Sequence, residues 1–120
     1  SSAASDVYKR QLLDLMAAQR PYTENDLTLS KLAKMLSLSP HNLSEIINTQ
    51  LGQSFFDFVN QYRVEKVKED LIDPKNKHLT LLAIAFDAGF SSKSSFNLIF
   101  KKHTQLTPSE YRKQTLNSSY

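Results

Sequence analysis

Lys93, Ser94, Ser95, Asn97, Lys101 and Lys102 fall within one stretch, KSSFNLIFKK, whose apolar members Phe96, Ile99 and Phe100 recur at helical spacing. Hydroxyl and carboxamide groups both donate and accept hydrogen bonds, and ammonium groups pair with anions. On one side of a helix these are the groups that meet base edges and phosphates. The plain alternative is a solvated serine and lysine face.

Other chemistry is poorly supplied. The chain has no cysteine, which removes disulfides, thiolate catalysis and cysteine-containing zinc sites. His41, His78 and His103 lie far apart with no paired ligand spacing, so neither a metal nor a cofactor is expected. No nucleophile, base and orienting group come together in sequence, and no enzyme is expected. The longest apolar run, residues 79–86, is far short of the roughly 20 residues of a membrane helix.

The chain has 120 residues, 40% apolar and 22% charged, the composition of one compact domain or two very small joined ones. Net charge is +3, but its distribution is uneven. Residues 1–27 carry three Lys or Arg against four Asp or Glu, and residues 54–73 carry three against five. Residues 91–113 carry five against one, as suits a surface that meets the phosphate backbone.

The elements that must position this stretch are all helical, because no alternating strand pattern or hairpin dipeptide occurs. Residues 1–5 read as a remnant of a tag or linker, and 117–120 as a tail. Asp6 opens a helix that Pro21 stops, Thr28 precedes a short amphipathic helix, and Ser39 with Pro40 starts another that ends near Gly52. Ser54 opens the longest helix, which closes before Pro74. The sequence then repeats itself: TLSKLAKMLSLS at 28–39 has the apolar rhythm of TLLAIAFDAGFS at 80–91. After one inserted residue, Leu43, Ile46 and Ile47 fall on Phe96, Ile99 and Phe100, and Asp57 on Glu110. TPSE at 107–110 is a capping box with Pro at N1.

Each copy has two short helices separated by about four residues, the turn length of a helix-turn-helix. The expected fold is all-α, about seven helices in two homeodomain-like helix-turn-helix subdomains, 6–53 and 78–116, joined by a long helix at 54–73. That helix, about 19 residues at about 1.5 Å each, spans on the order of 28 Å, close to the ~34 Å between major-groove faces on one side of B-DNA.

The runs YRVEKVKEDL at 62–71 and LTLLAIAFDAGFSSKSSFNLIFKKHTQLTPSEYRKQ at 79–114 resemble the DNA-binding domain of the AraC/XylS family of bacterial transcription regulators. The resemblance covers about residues 24–114. It implies sequence-specific binding of double-stranded DNA by two recognition helices, about 39–50 and 92–103, in successive major-groove segments. It also implies contact with RNA polymerase and dimerisation through a region absent from this chain, so that the fragment itself is monomeric. The expected location is cytoplasmic and DNA-associated, with the parent protein either soluble or membrane-anchored.

Carried over, the first helix offers His41, Ser44, Glu45 and Asn48 to bases, and the second Lys93, Ser94, Ser95, Asn97 and Leu98. Phosphate contacts are expected from Thr28, Ser39, Thr80, Ser92, Lys101, Lys102 and Tyr111. Three positions depart from the family. Leu98 stands where an arginine is common, leaving contact with a thymine methyl or packing as its roles. Gln105 stands where glycine is usual, so that turn is strained or reshaped. The first recognition helix has no Lys or Arg. Glu45 has an intramolecular ion pair as its alternative, and Tyr62 and Arg63 a bracing role. Phe55, Phe56 and Phe58 read as core or subdomain-joining residues. A protein-interaction module and a nonspecific architectural binder are the rival classes, the first set apart by indifference to duplex, the second by wedge residues not evident here.

Overall fold

The computed structural model describes residues 2–118, with seven α-helices and no strand among them. They are α1 (Ser2–Gln19), α2 (Leu29–Met35), α3 (Pro40–Gln50), α4 (Phe55–Ile72), α5 (Leu81–Asp87), α6 (Lys93–Thr104) and α7 (Pro108–Ser118), with single 3-10 turns at Pro21–Thr23 and Pro74–Asn76. The caps explain most of the starts. Thr28, Ser39, Ser54, Thr80 and Ser92 each accept the amide of the third residue onward at 3.0–3.2 Å, satisfying a donor that the helix leaves unpaired. At α7 the box is reciprocal: the Glu110 amide donates to Thr107 Oγ1 at 3.1 Å, and the Thr107 amide to Glu110 Oε1 at 2.9 Å.

The chain divides into two compact units at Val59 and Asn60, inside α4. The sequence reading treats 54–73 as a separate connector, whereas α4 supplies buried side chains to each unit. Phe58 and Val59 are buried in the first, and Val64, Val67 and Leu71 belong to the core cluster of the second. Phe55 is half-buried, but Phe56 is 61% exposed and is not a core residue of its unit. Tyr62 and Arg63 are half-buried, and desolvation lowers the Arg63 guanidinium pKa from its usual value.

In the first unit α1 and α2 pack on α3, around Leu12, Met16, Leu32, Ala33, Leu43 and Ile47, with an aliphatic centre. Helix α1 begins at Ser2, four residues before the expected start at Asp6, because Ala3 and Ala4 are strong helix formers that extend it backward. Most of the stretch expected as a linker remnant is therefore helical, and α7 runs into the expected tail as far as Ser118. Ser1 and residues 119–120 lie outside the described residues.

The second unit is built on aromatic contacts. Phe90 and Phe96 rings lie 5.2 Å apart, Phe96 and Phe100 5.7 Å, and Tyr111 meets Phe100 edge-on at 5.5 Å. Arg112 closes this unit, donating from its guanidinium to the carbonyls of Leu79, Lys77 and Asn76 at 3.2–3.4 Å.

The same turn joins the paired helices in both units. Ser37 has φ +56° and Gly89 φ +107°, and the next amide reaches back to the helix: Leu38 to the Ala33 carbonyl at 2.9 Å, Phe90 to that of Ala85 at 3.1 Å. A second left-handed residue follows α3 and α6, Gly52 at φ +65° after the first and Gln105 at φ +63° after the second.

Candidate nucleic-acid interface

Helix α6 sorts its residues by face. Phe96, Ile99 and Phe100 are buried, while Lys93, Ser94, Asn97, Leu98, Lys101 and Lys102 are exposed and Ser95 is half-buried. Spacings of three and four residues place the exposed set on one side of the helix. Ser92 holds the start, so the N-terminal turn that bears Lys93 and Ser94 is fixed in direction. Among the described residues, the side chains of Lys93, Ser94 and Asn97 have no partner within the chain. Their hydrogen-bonding groups face outward.

Helix α3 has the same sorting with a different outcome. Leu43, Ile46 and Ile47 are buried, His41, Glu45 and Asn48 are exposed, and Ser44 is half-buried. Its four base-reading candidates associate in two pairs along the helix. His41 Nε2 lies 3.9 Å from Glu45 Oε2, an ion pair when the imidazole is protonated, and Asn48 Nδ2 donates to Ser44 Oγ at 3.5 Å. Glu45 also stands at the rim of a groove between α3 and the first turns of α1, lined by Ala4, Ser5, Tyr8, Asn42 and Thr49. The sequence reading missed this groove because SSAAS carries no apolar stripe, and only its alanines hinted at helix.

The phosphate candidates divide similarly. Thr28, Ser39, Thr80 and Ser92 use a hydroxyl lone pair as a cap, and each hydroxyl still carries a proton to donate. Lys101, Lys102 and His103 occupy the last turn of α6, where cations also complement the helix dipole. The Tyr111 ring is committed to Phe100, which leaves its phenol as the group for an external contact. Glu110 tempers the positive field near Lys101. Its carboxyl pKa is lowered, first by the backbone hydrogen bond at Thr107, then by the Thr107 side chain, and also by the Lys101 charge. Arg112 belongs to the basic segment by sequence yet spends its guanidinium on backbone carbonyls, so that cation is structural.

Charge separates the units further. Up to Val59 the chain carries five Lys or Arg and six Asp or Glu, and from Asn60 onward ten and six. Only the second unit has a net positive balance. No helix among the described residues is long and apolar enough to cross a membrane.

Comparison with known proteins agrees with this geometry. A family described as a helix-turn-helix domain matches residues 32–114. An uncharacterized HTH-type transcriptional regulator of Staphylococcus aureus is 39% identical over 87 residues, 72% of this chain and 11% of that protein. One from Haemophilus influenzae is 32% identical over 90 residues, 75% of this chain and 29% of that protein. The chain thus spans only a minor part of these relatives. Among solved structures, the C-terminal domain of the response regulator AraT from Geobacillus stearothermophilus is 30% identical, with TM-score 0.75 over 90% of this chain and 84% of that one. The C-terminal domain of the two-component response regulator yesN from Fusobacterium nucleatum is 33% identical, with TM-score 0.73 over 93% and 99%.

Proposed function

This chain belongs to a helix-turn-helix domain family, and from that premise we propose that it is the DNA-binding domain of an AraC-type transcription regulator and reads sequence-specific sites in double-stranded DNA. Helices α3 and α6 enter successive major-groove segments about 10 base pairs apart, each reading bases with its outward face. The observation that carries this reading is α6, where Lys93, Ser94, Asn97 and Lys101 stand exposed on a helix whose other side is buried in the aromatic core. Ser94, Ser95 and Asn97 meet base edges, with Lys93 and Leu98 beside them, and Lys101, Lys102 and the Tyr111 phenol hold phosphates. Thr80 and Ser92 add hydroxyl donors at helix starts, where backbone amides favour anions.

In the first unit, His41, Ser44, Glu45 and Asn48 read bases after releasing their pairings along α3, with Thr28 and Ser39 at the phosphates. The parent regulator works in the cytoplasm, contacts RNA polymerase and dimerises through segments outside this chain, which is itself monomeric. The greater length of the relatives supports that division of labour.

Fluorescence anisotropy on labelled duplex over a salt series tests the reading. Binding should weaken steeply as salt rises, with a slope of about −0.9 per phosphate contact, and Lys101→Ala should make that slope shallower by about one. Binding that ignores salt, or none at low salt, would contradict it.

A further inference from the structure

Leu98 is 73% exposed, more than any other large apolar side chain among the described residues. It lies outside the core cluster that holds its neighbours Ile99 and Phe100. Packing within the unit, one of its two roles open from sequence, does not occupy it. Its helical neighbours are Ser94 one turn before and Lys101 and Lys102 one turn after, so an isobutyl group stands in the middle of the polar, cationic face. It has no donor or acceptor. Against the donors and acceptors of guanine, adenine or cytosine it would leave polar atoms without water or partner, which carries a cost. The major groove offers one apolar group, the C5-methyl of thymine.

We propose that Leu98 is a specificity-determining residue that seats its isobutyl group on the 5-methyl of one thymine in the DNA block read by α6, an inference that rests on the assignment of α6 as a base-reading helix. The contact selects thymine over cytosine, and equally over uracil, which pairs as thymine does but lacks the methyl.

Single thymines of a duplex enriched by this chain are replaced in turn by deoxyuridine, and affinity is measured for the wild type, Leu98→Ala, Leu98→Gln and Asn97→Ala. One position should weaken about fourfold on loss of a single buried methyl. That ratio should fall to about one in both Leu98 variants and persist in Asn97→Ala. The exposed position makes both Leu98 variants tolerable to the fold. Equal affinity for thymine and uracil at every position overturns the proposal, as does a ratio that survives in the Leu98 variants. If no duplex is enriched above background, the DNA-reading assignment itself fails and takes this inference with it.

Discussion

The two units use the same backbone and place their glycines in opposite slots. Each has a left-handed residue in the turn between its paired helices and another after the second of them, α3 or α6. The first unit fills these with Ser37 and Gly52, the second with Gly89 and Gln105. After α3 and α6 the φ values of Gly52 and Gln105 are nearly equal, so glycine eases that geometry without dictating it, whereas in the connecting turns Ser37 and Gly89 differ. At φ +107°, Gly89 lies beyond the left-handed well that side chains tolerate, whereas Ser37 at +56° and Gln105 at +63° sit within it. The Gln105 amide donates to the Lys101 carbonyl at 2.7 Å and its side chain to that of Lys102 at 3.1 Å, which compensates part of the strain.

The same contrast extends to the faces. On the repeat, Glu45 of α3 falls on Leu98 of α6, and Asn48 on Lys101. An anion that accepts hydrogen bonds thus stands where the other unit has a bare hydrocarbon, and the polar candidates of the acidic unit contact one another where Lys93, Ser94 and Asn97 of the basic one do not. On the proposed reading, the second unit offers DNA the greater share of free polar and cationic groups. On the same reading, the first unit would meet DNA with groups that contact one another along α3, His41 with Glu45 and Ser44 with Asn48.

The sharpest break between the cores is Phe100→Ala, which should cost about 3–5 kcal/mol in chemical denaturation by removing the ring shared by Phe96 and Tyr111. Asn97→Ala should cost about 1–3 kcal/mol of binding at one base pair while sparing others. Asn48→Ala should cost less, because its partner on DNA must first compete with Ser44; a larger loss there would reverse the ranking of the units. Gly89→Ala should destabilise by about 1–2 kcal/mol, and Ser37→Gly and Gln105→Gly should each stabilise by about 0.5–1 kcal/mol, read as shifts in the denaturation midpoint. If Gly89→Ala were silent, the turn would be less demanding than its φ implies.

The smallest effect concerns acid. Lys31, 2.8 Å away, lowers the Asp26 carboxyl pKa in the first unit, as the Thr107 contacts do for Glu110 in the second. Both folded-state pKa values lie below the unfolded ones, so their stabilisation is complete above the usual carboxylate range and is lost as pH falls through the folded values. Carboxylate titration by NMR should place both below free peptides, and Glu110→Gln should remove only the second unit's share of the acid dependence.

Much of this was legible beforehand because capping is local. Ser39, Ser54, Ser92 and Thr107 marked helix starts through side chains that reach only three residues onward. The repeat then transferred the inward faces from Leu43, Ile46 and Ile47 to Phe96, Ile99 and Phe100, all of them buried. What escaped depends on closure over distance. Arg112 meets carbonyls 33 to 36 residues earlier, and nothing near it in sequence distinguishes it from the exposed Lys113. On α3 an intramolecular ion pair for Glu45 was legible, whereas its partner His41 and the contact between Asn48 and Ser44 were not, because helical spacing brings such residues near but leaves the choice of rotamer undetermined. The positions proposed to touch DNA follow from face and exposure.

Selection of random duplexes by the purified chain at near-physiological salt, followed by sequencing of those retained, tests the central claim most directly. Two unlike units predict a non-palindromic site with two different blocks about one helical turn apart, with one position of the stronger relaxed in Asn97→Ala and one of the weaker in Asn48→Ala. A palindrome with equal blocks, or no enrichment at all, would contradict the account.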